Sequence, residues 1–200
     1  MERKKAVLFI ALVFVVTLIG ASVLYRQLGQ DLVPDQLEVQ TQPATEAALP
    51  DETQEQTQPT QEKQKAPDFT VYDAEGNEVH LSDFAGKPIV LNFWASWCGP
   101  CKMEIPDFNE KYLELGEEIQ FLMINMTDGS RETVEIASSF IQESGYSFPV
   151  FYDTGMDAAN TYGAYSLPMT FFIDADGYPV ARATGAIDAD TLMRGIDMIR

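Results

Sequence analysis

Pro88-Ile-Val-Leu-Asn-Phe-Trp-Ala-Ser-Trp-Cys-Gly-Pro-Cys101 runs from an apolar stretch of buried-strand length straight into a pair of cysteines spaced by one helical turn. Seven residues from Pro88 to Trp94 hold one polar side chain, Asn92, which suits a strand covered on both faces. A helical pattern follows from Cys98 to about Gly116, with a kink expected at Pro106. Cys98 then falls at the helix N-terminus, where free backbone N–H groups and the positive dipole end stabilise a thiolate. Pro100 lies in the first turn, where a missing N–H is tolerated. Cys101, one turn inside, reaches Cys98 from a more sheltered position. One accessible nucleophile and one sheltered resolving thiol are what disulfide exchange requires.

Outward from this segment, strand-like and helix-like patterns alternate from Pro67 to the C-terminus. Phe69-Thr-Val-Tyr72 and Glu78-Val-His-Leu81 flank the turn Asp73-Ala-Glu-Gly-Asn77, a hairpin signal. Ile119-Gln-Phe-Leu-Met-Ile-Asn-Met126 reads as a second buried strand. Residues 133–143 read as a helix with Val134, Ile136, Ala137, Phe140 and Ile141 on its inner face. Further strands are expected at Pro149-Val-Phe-Tyr152, Met169-Thr-Phe-Phe-Ile173 and Tyr178-Pro-Val-Ala-Arg-Ala183, the last two joined by the turn Asp174-Ala-Asp-Gly177. A final helix over 188–199 turns Leu192, Met193, Ile196 and Ile199 inward. This order describes an α/β sandwich around a central mixed sheet.

The N-terminal third is different in kind. Residues 6–25 carry no charge, and at about 1.5 Å per residue they span the roughly 30 Å of a bilayer's hydrocarbon core. Arg3, Lys4 and Lys5 precede them and only Arg26 follows, which places the N-terminus in the cytoplasm and the rest of the chain outside. An uncleaved anchor is favoured over a cleaved signal peptide, whose apolar region is about 7–15 residues. Residues 27–66 hold ten Gln, four Pro, eight Asp or Glu and no aromatic residue. They are expected to be a disordered tether with a reach of roughly 35 Å. The domains are therefore 1–26, cytoplasmic tip and transmembrane helix; 27–66, linker; and 67–200, folded domain.

Composition excludes several classes. The net charge is -18 with 13 Lys and Arg, which argues against nucleic acid. Two cysteines preclude a cysteine-stapled scaffold, and with His80 alone beside them no zinc site or Ser-His-Asp triad is assembled easily. No metal and no cofactor is implied. As a structural staple the pair would add only roughly 2 kcal/mol. The charge divides by segment into +3 over 1–26, -6 over the linker and -15 over the domain.

Phe93-Trp-Ala-Ser-Trp-Cys-Gly-Pro-Cys101 resembles the thioredoxin active-site segment, and Ser166-Leu-Pro-Met-Thr-Phe171 resembles the thioredoxin cis-proline loop. Ala66-Pro-Asp-Phe69, the hairpin after it, Leu81-Ser-Asp83, Gly86-Lys87 and Glu104-Ile-Pro106 are similar to the TlpA/ResA/DsbE-like branch of the AhpC/TSA-redoxin superfamily. The resemblance covers residues 66 to about 199. It implies a thioredoxin-like fold and a membrane-tethered, extracytoplasmic thiol-disulfide oxidoreductase of a bacterial cell membrane. Ala95 stands where a peroxidase of the related group carries Thr.

The resemblance also implies roles. Cys98 and Cys101 are the redox-active pair, Trp97 shields it, and Leu167 beside a cis-Pro168 pairs with a client segment by strand addition. Thioredoxins proper carry a buried Asp where this chain has Asn92. Glu104, one turn beyond Cys101 on the same helix face, occupies the position of the active-site Glu in the ResA-like branch. It is expected to be buried, raised in pKa and to handle the Cys101 proton. Cys-Gly-Pro-Cys resembles the dipeptide of reducing thioredoxins, which favours a reductase fed by a membrane electron donor of the CcdA or DsbD type. Its clients are disulfide-bearing proteins, apocytochrome c among them. A disulfide-introducing oxidase and a non-catalytic binding or chaperone module of the same fold remain the alternatives.

Overall fold

A computed structural model describes residues 37–39 and 64–200. Eight strands form one mixed sheet: β1 (Leu37–Val39), β2 (Thr70–Tyr72), β3 (Glu78–His80), β4 (Ile89–Trp94), β5 (Gln120–Asn125), β6 (Val150–Tyr152), β7 (Met169–Ile173) and β8 (Pro179–Thr184). Their order across the sheet is β1-β8-β7-β4-β5-β6-β2-β3. β4, β5 and β6 run parallel, and the remaining neighbours are antiparallel. Four helices complete the domain: α1 (Gly99–Leu115), α2 (Val134–Ser144), α3 (Asp157–Tyr162) and α4 (Ala189–Ile199). A single 3-10 turn, Leu81–Phe84, follows β3.

The apolar run 88–94 becomes the central strand for the reason its composition suggests. All six residues of β4 are buried, and their side chains alternate between two cores. Val90 and Trp94 join Ile105 and Phe108 of α1, Ala137 of α2 and Leu192, Ile196 and Ile199 of α4 on one face. Ile89, Leu91 and Phe93 meet Phe69, Leu122, Ile124, Phe171 and the alanines of α3 on the other. Asn92 shares the parity of Val90 and Trp94, so its amide faces α1. That is the one polar residue of the strand, and it is aimed at the helix that carries the cysteines.

The helices start and stop on local signals. Thr133 Oγ1 accepts the Ile136 N–H at the start of α2, and Asp188 Oδ1 accepts the Thr191 N–H at 2.9 Å at the start of α4. Gly145 closes α2 in the left-handed conformation, with φ of 70°. α1 continues through Pro106, whose missing N–H leaves the Lys102 carbonyl without its usual partner.

Two expectations need correction, and one helix has no counterpart among them. Leu37–Val39 lies inside the segment read as a disordered tether, yet it pairs with β8 at the sheet edge. Leu37 is buried against the core and Arg182 bonds Glu38, so three residues find enough partners to offset their ordering. Ile136 is exposed rather than turned inward, because α2 is covered only on the side of Ala137. α3 was not expected at all. It is too short for an apolar period, and Asp153 holds it in place by accepting the N–H groups of Ala158 and Ala159. The expected membrane helix at 6–25 and the rest of the tether lie outside the described residues. Among those described, no helix is long and apolar enough to cross a membrane.

Candidate active site

β4 delivers Ala95, Ser96 and Trp97 to the carboxyl edge of the sheet, and the chain turns there into α1. Cys98 caps the helix: its Sγ accepts the Cys101 N–H at 3.2 Å. Its Cα lies 5.3 Å from that of Cys101, to which it is joined by a disulfide. Cys98 keeps 4% of its surface exposed and Cys101 none, so both are buried in the disulfide form and Cys98 is the outer of the two by a narrow margin, where an exposed nucleophile is expected from the sequence. The N–H aimed at Cys98 is the local field that favours a thiolate once the pair is reduced.

Glu104 follows Cys101 by three residues and is 1% exposed. Asn92 Nδ2 donates to Glu104 Oε1 at 2.8 Å, and the Ile187 N–H donates to Oε2 at 3.0 Å. Asn92 Nδ2 also donates to Thr170 Oγ1 at 3.0 Å, which ties in β7. Burial pushes the Glu104 carboxyl up to about 7. The hydrogen bonds from Ile187 and Asn92 pull against that rise, and the charge of Asp107 adds to it. A carboxyl balanced near neutrality gives or takes a proton at little cost.

Met169 is in register with Phe93, which brings the residue before it, Pro168, to the end of β4 that leads into the cysteines. The Leu167–Pro168 peptide is cis. Pro168 C=O accepts the Gly185 N–H at 2.9 Å, whereas the backbone of Leu167 makes no hydrogen bond among the described residues. Trp97 is 39% exposed, and its ring carries the Arg131 guanidinium at 3.7 Å from the centroid. His80 sits in β3, at the sheet edge four strands from β4, which at about 4.8 Å per strand is roughly 19 Å away. The fold thus gathers Trp97, Cys98, Cys101, Glu104, Leu167 and Pro168 at one end of the sheet and leaves His80 out.

Sequence reasoning missed Thr170, Arg131 and Glu132. The last is fully buried and accepts three hydrogen bonds, from Ser96 N–H, Ser96 Oγ and Asn125 Nδ2. Its signal was faint: a Glu in a polar loop, with no spacing that ties it to the cysteines.

The AhpC/TSA family model matches residues 63–178. The chain belongs to the AhpC/TSA family. It is similar to the thiol-disulfide oxidoreductase ResA of Bacillus thuringiensis, with 41% identity over 125 residues that cover 61% of this chain and 69% of that protein. Among solved structures it is similar to a DsbE-type thiol:disulfide interchange protein of Chlorobium tepidum, at 31% identity and a TM-score of 0.59, over 67% of this chain and 94% of that one. It is also similar to an exposed lipoprotein thioredoxin of Streptococcus pneumoniae, at 30% identity and a TM-score of 0.55, over 66% and 98%. Within the family the chain is a ResA/DsbE-like thiol-disulfide oxidoreductase with a thioredoxin-like fold, and disulfide-bearing proteins are its client class. The C-x-x-C pair at the start of α1 is the feature these relatives' names lead one to look for.

Proposed function

We propose that this oxidoreductase reduces client disulfides outside the cytoplasm, with Cys98 as nucleophile and Cys101 as resolving thiol. The observation that carries the proposal is the arrangement at the start of α1: an N-capping Cys98 that keeps a little exposure, a fully buried Cys101, and the buried Glu104 one turn on. In the reduced enzyme the Cys98 thiolate attacks one sulfur of a client disulfide and expels the other as a thiolate. Cys101 then attacks Cys98 Sγ, the mixed disulfide breaks, and the second client thiol leaves. Two electrons pass to the client and the Cys98–Cys101 disulfide forms. Glu104 accepts the Cys101 proton and returns it to the departing thiolate. Leu167, with its backbone groups unengaged beside Pro168, pairs with an extended client segment, and Trp97 contributes an apolar surface next to Cys98.

The wider setting follows from the N-terminal sequence. Residues 1–26 act as a cytoplasmic tip and a single membrane anchor, and the segment after them, whose Leu37–Val39 joins the sheet, tethers the domain at the outer side of the cell membrane. The acidic domain keeps off anionic lipid and favours basic clients. A membrane electron donor of the CcdA or DsbD type returns the pair to the dithiol, and apocytochrome c is one client of the right chemistry. The test is Cys101→Ser expressed in intact cells. It collects clients as adducts that reductant releases and that vanish when Cys98 is also replaced. No adduct, or adducts that survive loss of Cys98, would overturn the assignment.

A further inference from the structure

Two neighbouring residues of the loop after β5 hold two neighbouring residues of the active-site turn. Arg131 lies over the Trp97 ring, and Glu132 accepts from both the backbone N–H (2.8 Å) and the Oγ (2.6 Å) of Ser96. The loop is itself braced. Asp128 Oδ1 accepts the N–H groups of Ser130, Arg131 and Glu132. Asn125 Nδ2 donates to Glu132 at 2.7 Å, and Asn125 Oδ1 accepts from Thr127 Oγ1 at 2.8 Å. A fully buried acid tied to Asn125 at the end of β5 and to the residue two before Cys98 is an expensive arrangement unless it fixes something. Nothing in the exchange chemistry above uses it.

We infer that Glu132 is a positioning residue for client capture. It fixes the Ser96–Trp97 turn, and with it the aromatic surface beside Cys98 against which a protein client is oriented. The effect is specific to large substrates. A small disulfide needs only the Cys98 sulfur, which α1 positions independently through the Cys101 N–H. A protein client must also lie against the Trp97 ring, and the angle of that ring is set by Ser96 on one side and Arg131 on the other. The inference rests on Cys98 being the attacking thiol.

The experiment compares the reduced full-length parent with Glu132→Ala, Glu132→Gln and Arg131→Ala on two substrates, insulin and the small aromatic disulfide DTNB. Glu132→Ala is expected to raise the KM for insulin about tenfold while kcat/KM for DTNB changes less than twofold. Glu132→Gln, which keeps an acceptor for Ser96, restores most of the insulin KM. Acrylamide quenching of indole fluorescence rises in Glu132→Ala and in Arg131→Ala as the Trp97 ring comes free. Should Glu132→Ala fold poorly, Glu132→Gln with Ser96→Ala carries the same comparison. Equal losses on both substrates, or unchanged KM and quenching in a folded Glu132→Ala, would overturn the inference. A parent inactive on both substrates would instead defeat the assignment of Cys98, and the quenching would still report on the grip.

Discussion

Asn92 on β4 donates to Glu104 on α1 across 2.8 Å in a fully buried space, so strand and helix are joined at the turn that follows Cys101. The strand contributes an amide that does not titrate, and the helix contributes the group that does. The buried acid has thereby moved from the sheet to the helix that carries the cysteines. Replacement of Glu104 by Gln keeps the hydrogen-bonding shape and removes the proton site. Resolution of a mixed disulfide by Cys101 should then slow on the order of 10²-fold. Its rate should also lose the inflection near pH 7. Stopped-flow measurement on a preformed Cys98–peptide adduct checks this, and an unchanged inflection would assign it to another group.

Stability should follow the same titration. The Glu104 carboxyl is raised from 4.5 to about 7, so between those values the folded protein holds a proton that the unfolded chain has released. Stability contributed by this group is present below about 4.5, falls as pH rises through 7, and is level above that. The whole change amounts to about 3 kcal/mol at most. Asp68, Asp73, Asp128 and Asp188 are lowered and act in the opposite sense at lower pH, so the parent alone does not isolate the effect. The difference between oxidised Glu104→Gln and oxidised parent does. In guanidinium unfolding the variant should gain on the parent from pH 5 to about pH 7, and the gain should level off towards pH 8.

Gly195 sits where α4 crosses β7, and a Cβ there would run into the Phe172 ring. Gly195 is buried, and Phe172 is fully buried in the core shared with α1. Gly195→Ala should therefore destabilise by roughly 1–3 kcal/mol through overpacking. The intrinsic helix preference for Ala, about 1 kcal/mol, acts against this and does not reverse it. A higher denaturation midpoint in the variant would show that α4 gives way freely.

The strand at Leu37–Val39 predicts that removal of residues 1–63 is not neutral. Leu37 is in register with Ala183 and Val39 with Ala181, so the truncated domain exposes the β8 edge. Loss of one buried Leu and a short ladder should cost about 1–2 kcal/mol. Amide exchange in Ala181, Arg182 and Ala183 should quicken while that of β4 stays slow. Equal protection of β8 in both forms would remove β1 from the stable fold.

What the residues revealed beforehand depended on how local the cause was. β4 and α1 are legible because their apolar pattern, their breakers and the C-x-x-C all lie within one stretch of chain, and β7 because its own apolar run ends at the 174–177 turn. The burial of Glu104 was legible from one-turn spacing on a helix whose inner face was already known. Glu132 was not, because its reason for being buried is Ser96, 36 residues away in sequence. The pairing of Leu37 with Ala183 was hidden for the same reason: its composition is that of a solvated linker, and only the free edge of β8 recruits it. Contacts made by strand-to-helix succession could be read, and contacts made across the end of the sheet could not.

The central claim is that Cys98 and Cys101 deliver two electrons to a client disulfide. A single-turnover mixture of the fully reduced protein with excess insulin, free of other reductant, tests it most directly. The account predicts that each protein molecule closing its Cys98–Cys101 disulfide releases two insulin thiols, that Cys101→Ser stops at one mixed disulfide, and that Cys98→Ser does nothing. Insulin left intact by the reduced protein, or reduced equally well without Cys98, would contradict it.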